Sequence, residues 1–213
     1  MQTFTNTAGS VIVDKLILTI QENKQYLSDI DGLIGDGDHG INMNKGFTMC
    51  REELNKDPGD LSHGLKVLSK ILIMKIGGSM GPLYGKFFKA IALTLEGRNE
   101  IGIEDIGDAL KAGVEAIASI SPAKVGDKTL IDTLIPAVSA YEKAHSEGKS
   151  LSLALEDMKT AARLGRDSTK EMVAKIGRAS RLGERSRGVL DAGAVSCCLI
   201  LETIGDSAQE LLK

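Results

Sequence analysis

Apolar residues recur at intervals of three and four along most of this chain. Ile103, Ile106, Leu110, Val114 and Ile117 line up on one face of a helix, and Leu151, Leu155, Met158 and Ala162 repeat the pattern downstream. The same spacing predicts helices over 11–28, 41–54, 61–76, 84–95 and 129–145, and 25–34 reads as the end of a helix. Residues 192–212 open apolar on every side, the pattern of a helix enclosed by others. Thr129-Leu130-Ile131-Asp132 resembles a capping box with Asp in the place of Glu. Pro136 falls inside the 129–145 helix and predicts a kink, whereas Pro58, Pro82 and Pro122 fall in loops or at helix starts. No alternating run of strand length stands out. The pattern predicts an all-α fold: one bundle of about eight helices with short connections, occupying 1–213 as a single domain.

Glycine adds a place for function. It concentrates in 32–46, 77–85 and 177–193, between predicted helices, and these loops can gather at one end of the bundle to make a site. Composition narrows the function classes. The net charge is −3 at pH 7 with no basic block, which argues against nucleic acid as the main partner. Four Phe, three Tyr and no Trp are too few for an aromatic stacking platform. Cys50, Cys197 and Cys198 form no C-x-x-C pair, and an odd, low count suits a reducing compartment in which they pack as small apolar groups. The first residues lack the basic start of a signal peptide, and the longest uncharged apolar stretch, 192–201, is too short to cross a bilayer. A cytoplasmic protein without a membrane partner is expected.

The densest chemistry lies between Asp31 and Asn44. Asp31, Asp36, Asp38 and His39 share a glycine-rich stretch, followed by Asn42 and Asn44. Carboxylates this close repel one another unless they protonate or hold a cation. Oxygen ligands suit a hard divalent ion, and Mg²⁺ is commonly completed by substrate phosphates. The stretch predicts a metal site with a phosphate ligand behind it. Gly35-Asp36-Gly37-Asp38-His39-Gly40 also fits the spacing G-x-G-x-x-G, but that motif marks a dinucleotide fold only after a strand, and here a helix precedes it. Two aspartates inside it would also repel a pyrophosphate laid directly on the backbone. An EF-hand fails because the twelfth position counted from Asp36 is Phe47, not glutamate. A polar turn between helices competes with the metal reading, but it leaves the third aspartate and the Asn42–Asn44 pair unexplained. His39, among carboxylates, is expected in its charged form.

Three further segments carry candidate phosphate chemistry. Ile76-Gly77-Gly78-Ser79-Met80-Gly81-Pro82 joins two helices, with Pro82 suited to the first helical position and free N–H groups beside it. Such a helix start binds phosphate well. A tight helix–helix turn is the competing reading, and no P-loop pattern occurs. Gly126-Asp127-Lys128-Thr129 opens the next long helix, with Asp127 or Thr129 as its cap and Lys128 as a candidate to neutralise phosphate. The segment from Gly177 carries Arg178, Arg181, Arg185 and Arg187, whose planar forks match phosphate oxygens; a solvated basic loop is the alternative. Asp191 follows, placed to cap the last helix.

Taken in order, Asp31 to Asn44, Gly77-Gly78 with Gly81 to Gly85, Gly126 to Thr129, Gly177 to Ser180 with Gly183 to Ser186, and Asp191 with Gly193-Ala194 closely resemble the nucleotide-binding L-subunit family of dihydroxyacetone kinases. The motifs run in the family's order over nearly the whole chain. The resemblance implies an up-and-down barrel of about eight helices with the nucleotide at one end. It implies that Asp31, Asp36 and Asp38 hold two Mg²⁺ ions bridging the phosphates of ADP or ATP, and that these aspartates and Arg178 carry the catalysis. His39, Asn42, Gly78, Ser79, Met80, Arg178, Asp191 and Gly193 take the family's nucleotide-contact positions. A division of labour is implied too. A K subunit holds dihydroxyacetone covalently through its own histidine. In the phosphotransferase-system version, an M subunit rephosphorylates the bound ADP with phosphate originating from phosphoenolpyruvate. A homodimer is compatible with this scheme. Ser79-Met80 stands where the family commonly has Ala-Ser, Val125 and Ala192 where proline is usual, Arg181 where an aromatic residue is usual, and Ser121 where glycine is usual. The metal loop is intact, so these departures bear on the partner and the sugar rather than on phosphoryl chemistry. An ATP-dependent two-chain kinase of a related ketose, a self-contained Mg²⁺-dependent phosphohydrolase and a nucleotide-sensing interaction protein are the competing readings.

Overall fold

A computed structural model describes residues 2–213. Among the described residues the chain forms α1 (Ser10–Glu22), α2 (Lys24–Ile34), α3 (His39–Leu54), α4 (Leu61–Lys75), α5 (Met80–Leu95), α6 (Ile103–Ala118), α7 (Ile131–Ser146), α8 (Leu151–Ser168) and α9 (Ala192–Leu211). From α2 to α9 each helix packs on its neighbour in sequence, and α9 closes the ring against α1. The apolar stripes meet inside. Phe47 and Phe87 each set an edge against Phe88, with ring centroids 6.2 and 5.4 Å apart. The fold is the all-α up-and-down bundle that the periodicity and the resemblance imply. The cysteines are free and buried. None of the described helices is long and apolar enough to cross a membrane.

The departures from the pattern are local and each has a cause. One helix is predicted over 11–28, but the chain breaks at Asn23. Its N–H and its side-chain amide both donate to the Thr19 carbonyl, at 3.1 and 2.9 Å, so the side chain duplicates a helical bond and closes α1. Ile20 and Leu27 are buried on either side, so the apolar spacing runs across the break and hides it. α3 and α5 start earlier than predicted, which makes Pro82 the third residue of α5 rather than the first. Pro82 is tolerated there because the first-turn N–H groups have no partner within a helix. Two residue pairs, β1 (Phe4–Thr5) and β2 (Glu100–Ile101), form an antiparallel bridge too short for any alternation to show.

Pro136 lies inside α7, as the sequence predicts, and the helix runs on through it. Proline cannot donate to the carbonyl of Asp132, one turn back. α8 passes at this level with Gly165, where any side chain would collide with that same carbonyl. The Asp132 carboxylate does half of the predicted capping: it accepts the Thr129 N–H at 2.7 Å and the Gly126 N–H at 2.5 Å, tying the loop to the start of α7. Thr129 Oγ1 accepts from Ile131 at 3.2 Å.

The alternation of directions places the starts of α3, α5, α7 and α9 at one end of the barrel. The starts of α4, α6 and α8 lie at the other. That far end is closed by side chains: Asp60 accepts from His63 N at 2.8 Å, Asp105 from Gly102 N at 2.9 Å and Ser150 from Leu153 N at 3.4 Å.

Candidate active site

At the near end a cavity of about 530 Å³ opens among the starts of α3, α5, α7 and α9, the ends of α2 and α6, and the 3₁₀ segment Arg178–Ser186. Asp31, Asp36, Asp38, His39, Asn42, Gly78, Ser79, Met80, Arg178, Asp191 and Gly193 all line it. So do Ser121 and Ala192, whereas Asn44, Val125, Arg181, Arg185 and Arg187 do not. One wall carries no signal in the sequence: Leu83, Ile117, Ile120 and Ile131 form an apolar slot. Helical periodicity counts such residues as core, and nothing in the sequence separates a core position from the lining of a cavity.

Asp31 comes from the last turn of α2 and Asp36 and Asp38 from the loop that follows, and one oxygen from each lies within 4.8 Å of the others. The turn is tight. Gly35 N–H donates to the Asp31 carbonyl at 2.5 Å, and a Cβ on Gly35 would sit 2.5 Å from Asp31 Oδ1, so only glycine leaves that carboxylate its place. Three oxygen ligands that repel one another form a hard, anionic donor set, which fits Mg²⁺. Arg178 reaches across from its 3₁₀ segment and pairs with Asp36.

His39 corrects the sequence expectation. Burial lowers its pKa from 6.5 to about 4, against the raising effect of the Asp31 charge, so the ring is neutral at pH 7 in the metal-free protein. Its Nε2 lies 2.9 Å from Ser196 Oγ, which lies 2.7 Å from the Tyr84 hydroxyl, and Tyr84 donates to the Gly193 carbonyl at 3.1 Å. A chain of polar groups from α5 and α9 thus fixes the ring from behind.

The near end differs from the far end in its helix starts. Neither Asp38 at the start of α3 nor Ser79 at the start of α5 makes a side-chain cap. Open space surrounds Gly77 and Gly78. First-turn N–H groups of α5 therefore face the cavity unmatched, with the positive end of the helix dipole behind them. The other near-end starts have side-chain acceptors: Asp191 accepts from Ala194 N at 2.7 Å in α9, as the sequence predicts, Thr129 Oγ1 from Ile131 N in α7, and Asp31 from His39 N at 3.3 Å in α3.

Burial, opposed by the Ala194 N–H and reinforced by Asp132 and Asp31, raises the Asp191 pKa from 3.8 to about 7, with Lys128 pulling it down. Between these values the folded chain holds a proton that the unfolded chain releases, so this group costs stability progressively as pH rises through the window. Asp191→Asn keeps an acceptor for Ala194 and removes the titration. In urea titrations without metal or nucleotide it should match the wild type near pH 4 and exceed it by up to about 4 kcal/mol at pH 8. Parallel pH profiles for the two proteins would contradict this.

Lys128 also corrects an expectation. It is 1% exposed, and its ammonium donates to the carbonyls of Met172, Ser186 and Val189 at 3.2, 2.6 and 2.6 Å. All three of its donors are taken, so none is left for a phosphate. Burial lowers its pKa, and the charge of Asp191 acts against that.

Residues 33–206 match the family described as the DAK2 domain. The chain belongs to the DAK2 domain family. Over 190 residues it is 36% identical to the PEP-dependent dihydroxyacetone kinase, ADP-binding subunit DhaL, of Escherichia coli (strain K12), covering 87% of this chain and 89% of that one. The fold of this DAK2 chain is that of part of the dihydroxyacetone kinase of C. freundii. The native crystal structure superposes with a TM-score of 0.71 at 24% identity, over 96% of this chain and 35% of that one. The crystal structure in complex with AMP-PNP and Mg²⁺ superposes with a TM-score of 0.66 at 22% identity, over 93% and 33%. This DAK2 chain thus spans about a third of that kinase.

Proposed function

We propose that this chain is the ADP- and Mg²⁺-binding subunit of a dihydroxyacetone kinase. It takes a phosphoryl group from a phosphotransferase-system M subunit onto its bound nucleotide and passes it to dihydroxyacetone held on a K subunit. One observation carries the reading: a three-carboxylate cluster, an uncapped helix start and an arginine face a single cavity with an apolar slot. The name of the Escherichia coli relative and the ligands of the C. freundii complex support it.

Each group has a task. Asp31, Asp36 and Asp38 would hold two Mg²⁺ ions, which when bound offset the charge of the phosphates. The amides of Gly78, Ser79 and Met80 and the dipole of α5 receive phosphate oxygens. Leu83, Ile117, Ile120 and Ile131 cover the base. His39, neutral and fixed by Ser196, and Asn42 offer hydrogen bonds without adding charge. Arg178 stabilises charge on the transferring group. Nothing in this cavity needs to act as a general base, because the acceptor and its base sit on the other subunit.

Two measurements test the reading. Calorimetric titration should show ADP binding with Mg²⁺ and its loss in excess EDTA; undiminished binding in EDTA would falsify the metal-dependent site. Arg178→Lys should lower phosphoryl transfer more than it weakens ADP binding, because the planar fork is lost while the charge is kept. If transfer stays within about twofold, ~0.4 kcal/mol, Arg178 is not at the transferring group.

A further inference from the structure

Lys128 is left without a task by the function proposed above, yet the protein goes to unusual lengths to place it. Among the described residues it is the one non-glycine with a positive φ, 62°. Such a conformation persists where the surroundings over-determine it. Its three acceptors are not scattered. Met172 precedes the 3₁₀ segment Arg178–Ser186, Ser186 ends it, and Val189 follows it. The ammonium therefore binds both ends of the arm that carries Arg178 and joins them to the start of α7. No other side chain brings three N–H groups to converging carbonyls from a single nitrogen.

Further ties lie at the same base, among them the Arg187 guanidinium donating to the Glu171 carbonyl and the Lys175–Asp127 ion pair. Ala174 N donates to Ser186 Oγ at 2.9 Å, Gly188 N to the Lys170 carbonyl at 2.7 Å and Lys175 N to the Asp127 carbonyl at 3.1 Å. Beyond the base the arm is held by local bonds, Ser180 Oγ to the Gly177 carbonyl and Ser186 Oγ to the Gly183 carbonyl, by packing against α2 and by the Arg178–Asp36 pair. The base from which Arg178 is carried thus has one buried ammonium at its centre.

We propose that Lys128 is a positioning residue for Arg178, fastening both ends of the arginine arm so that the guanidinium is carried over the acidic cluster. The inference rests on the assignment of Arg178 to the phosphoryl group. It predicts that loss of Lys128 frees the arm, leaves the barrel intact and costs what loss of Arg178 costs.

The test uses Lys128→Met, Arg178→Ala and the double variant of the full chain. In Lys128→Met, trypsin should cut after Arg181 and Arg185 about tenfold faster or more, with helical circular dichroism unchanged. In the system reconstituted with K and M subunits, kcat should fall in Lys128→Met as it does in Arg178→Ala, and the double variant should be no slower than Arg178→Ala. Should Lys128→Met fail to fold, Ser186→Ala takes its place. It removes another tie at the same base and should expose the arm in the same direction to a smaller extent. Unchanged proteolysis overturns the proposal. So does a double variant whose defect is the product of the two single ones, the result expected if Lys128 acted on phosphate itself. The proteolysis needs no nucleotide, so a wild type that failed to bind Mg·ADP would overturn the functional reading separately.

Discussion

Asp36→Asn is expected to abolish phosphoryl transfer in the reconstituted system while leaving the helical fold as it is, and Asp38→Asn to do the same. The cluster places one oxygen from each of three carboxylates within 4.8 Å, so removing one charge removes a third of the anionic donor set at once. A loss of about 10³-fold or more is expected, ~4 kcal/mol of transition-state stabilisation, the scale set by removal of a group that holds transferring charge. Folding is affected far less. Asp36 is exposed, and its ion pair with Arg178 is also largely in water, where such pairs contribute about 1 kcal/mol or less. The substitution also relieves repulsion from its two neighbours. Circular dichroism and thermal midpoints should therefore track the wild type while transfer is lost. Retention of more than about a hundredth of wild-type transfer, ~2.7 kcal/mol, would take the metal role away from Asp36.

The second large effect is dependence on partners. The cavity holds carboxylates, an uncapped helix start, a neutral histidine and an arginine, to each of which the proposed function gives a task at a nucleotide or its metals. Lys86, Ser121 and Thr129 also line it, and among the described residues no histidine besides His39 does. The purified chain with ATP should therefore produce no dihydroxyacetone phosphate above background, and addition of a K-type subunit should switch activity on. With the nucleotide acting as a bound coenzyme, free ATP should support about one turnover per site, and sustained turnover should need an M-type donor. Steady turnover on ATP with the K-type subunit alone would replace this scheme with an ATP-dependent two-chain kinase. Turnover by the isolated chain would dismiss the division of labour.

Much of this arrangement is legible in the amino-acid sequence. Helix existence follows from spacing because burial is periodic, and the residues of the Asp31–Asn42, Gly78–Met80, Arg178 and Asp191–Gly193 motifs do converge on one cavity. What the sequence hides has physical causes. The break at Asn23 is invisible because the apolar spacing continues across it. The charge state of His39 reads wrongly because neighbouring carboxylates can be seen in a sequence and desolvation cannot. Lys128 reads as a phosphate ligand because its sequence neighbours suggest one, whereas its bonds go to carbonyls more than forty residues away, at Met172, Ser186 and Val189. The apolar slot is hidden because a residue facing a ligand and one facing the core obey the same period.

The uneven finishing of the two barrel ends has a consequence for the life of the protein. Helix starts sealed by side chains need nothing from outside, while that of α5 is left to be completed. On the proposed function, nucleotide would be a missing structural part as well as a reactant, adding ~2.7 kcal/mol of stability at a hundredfold excess over its dissociation constant. Supply of ligand and survival of the chain would then be linked: the nucleotide-free protein is expected to be cut by proteases faster than the loaded one.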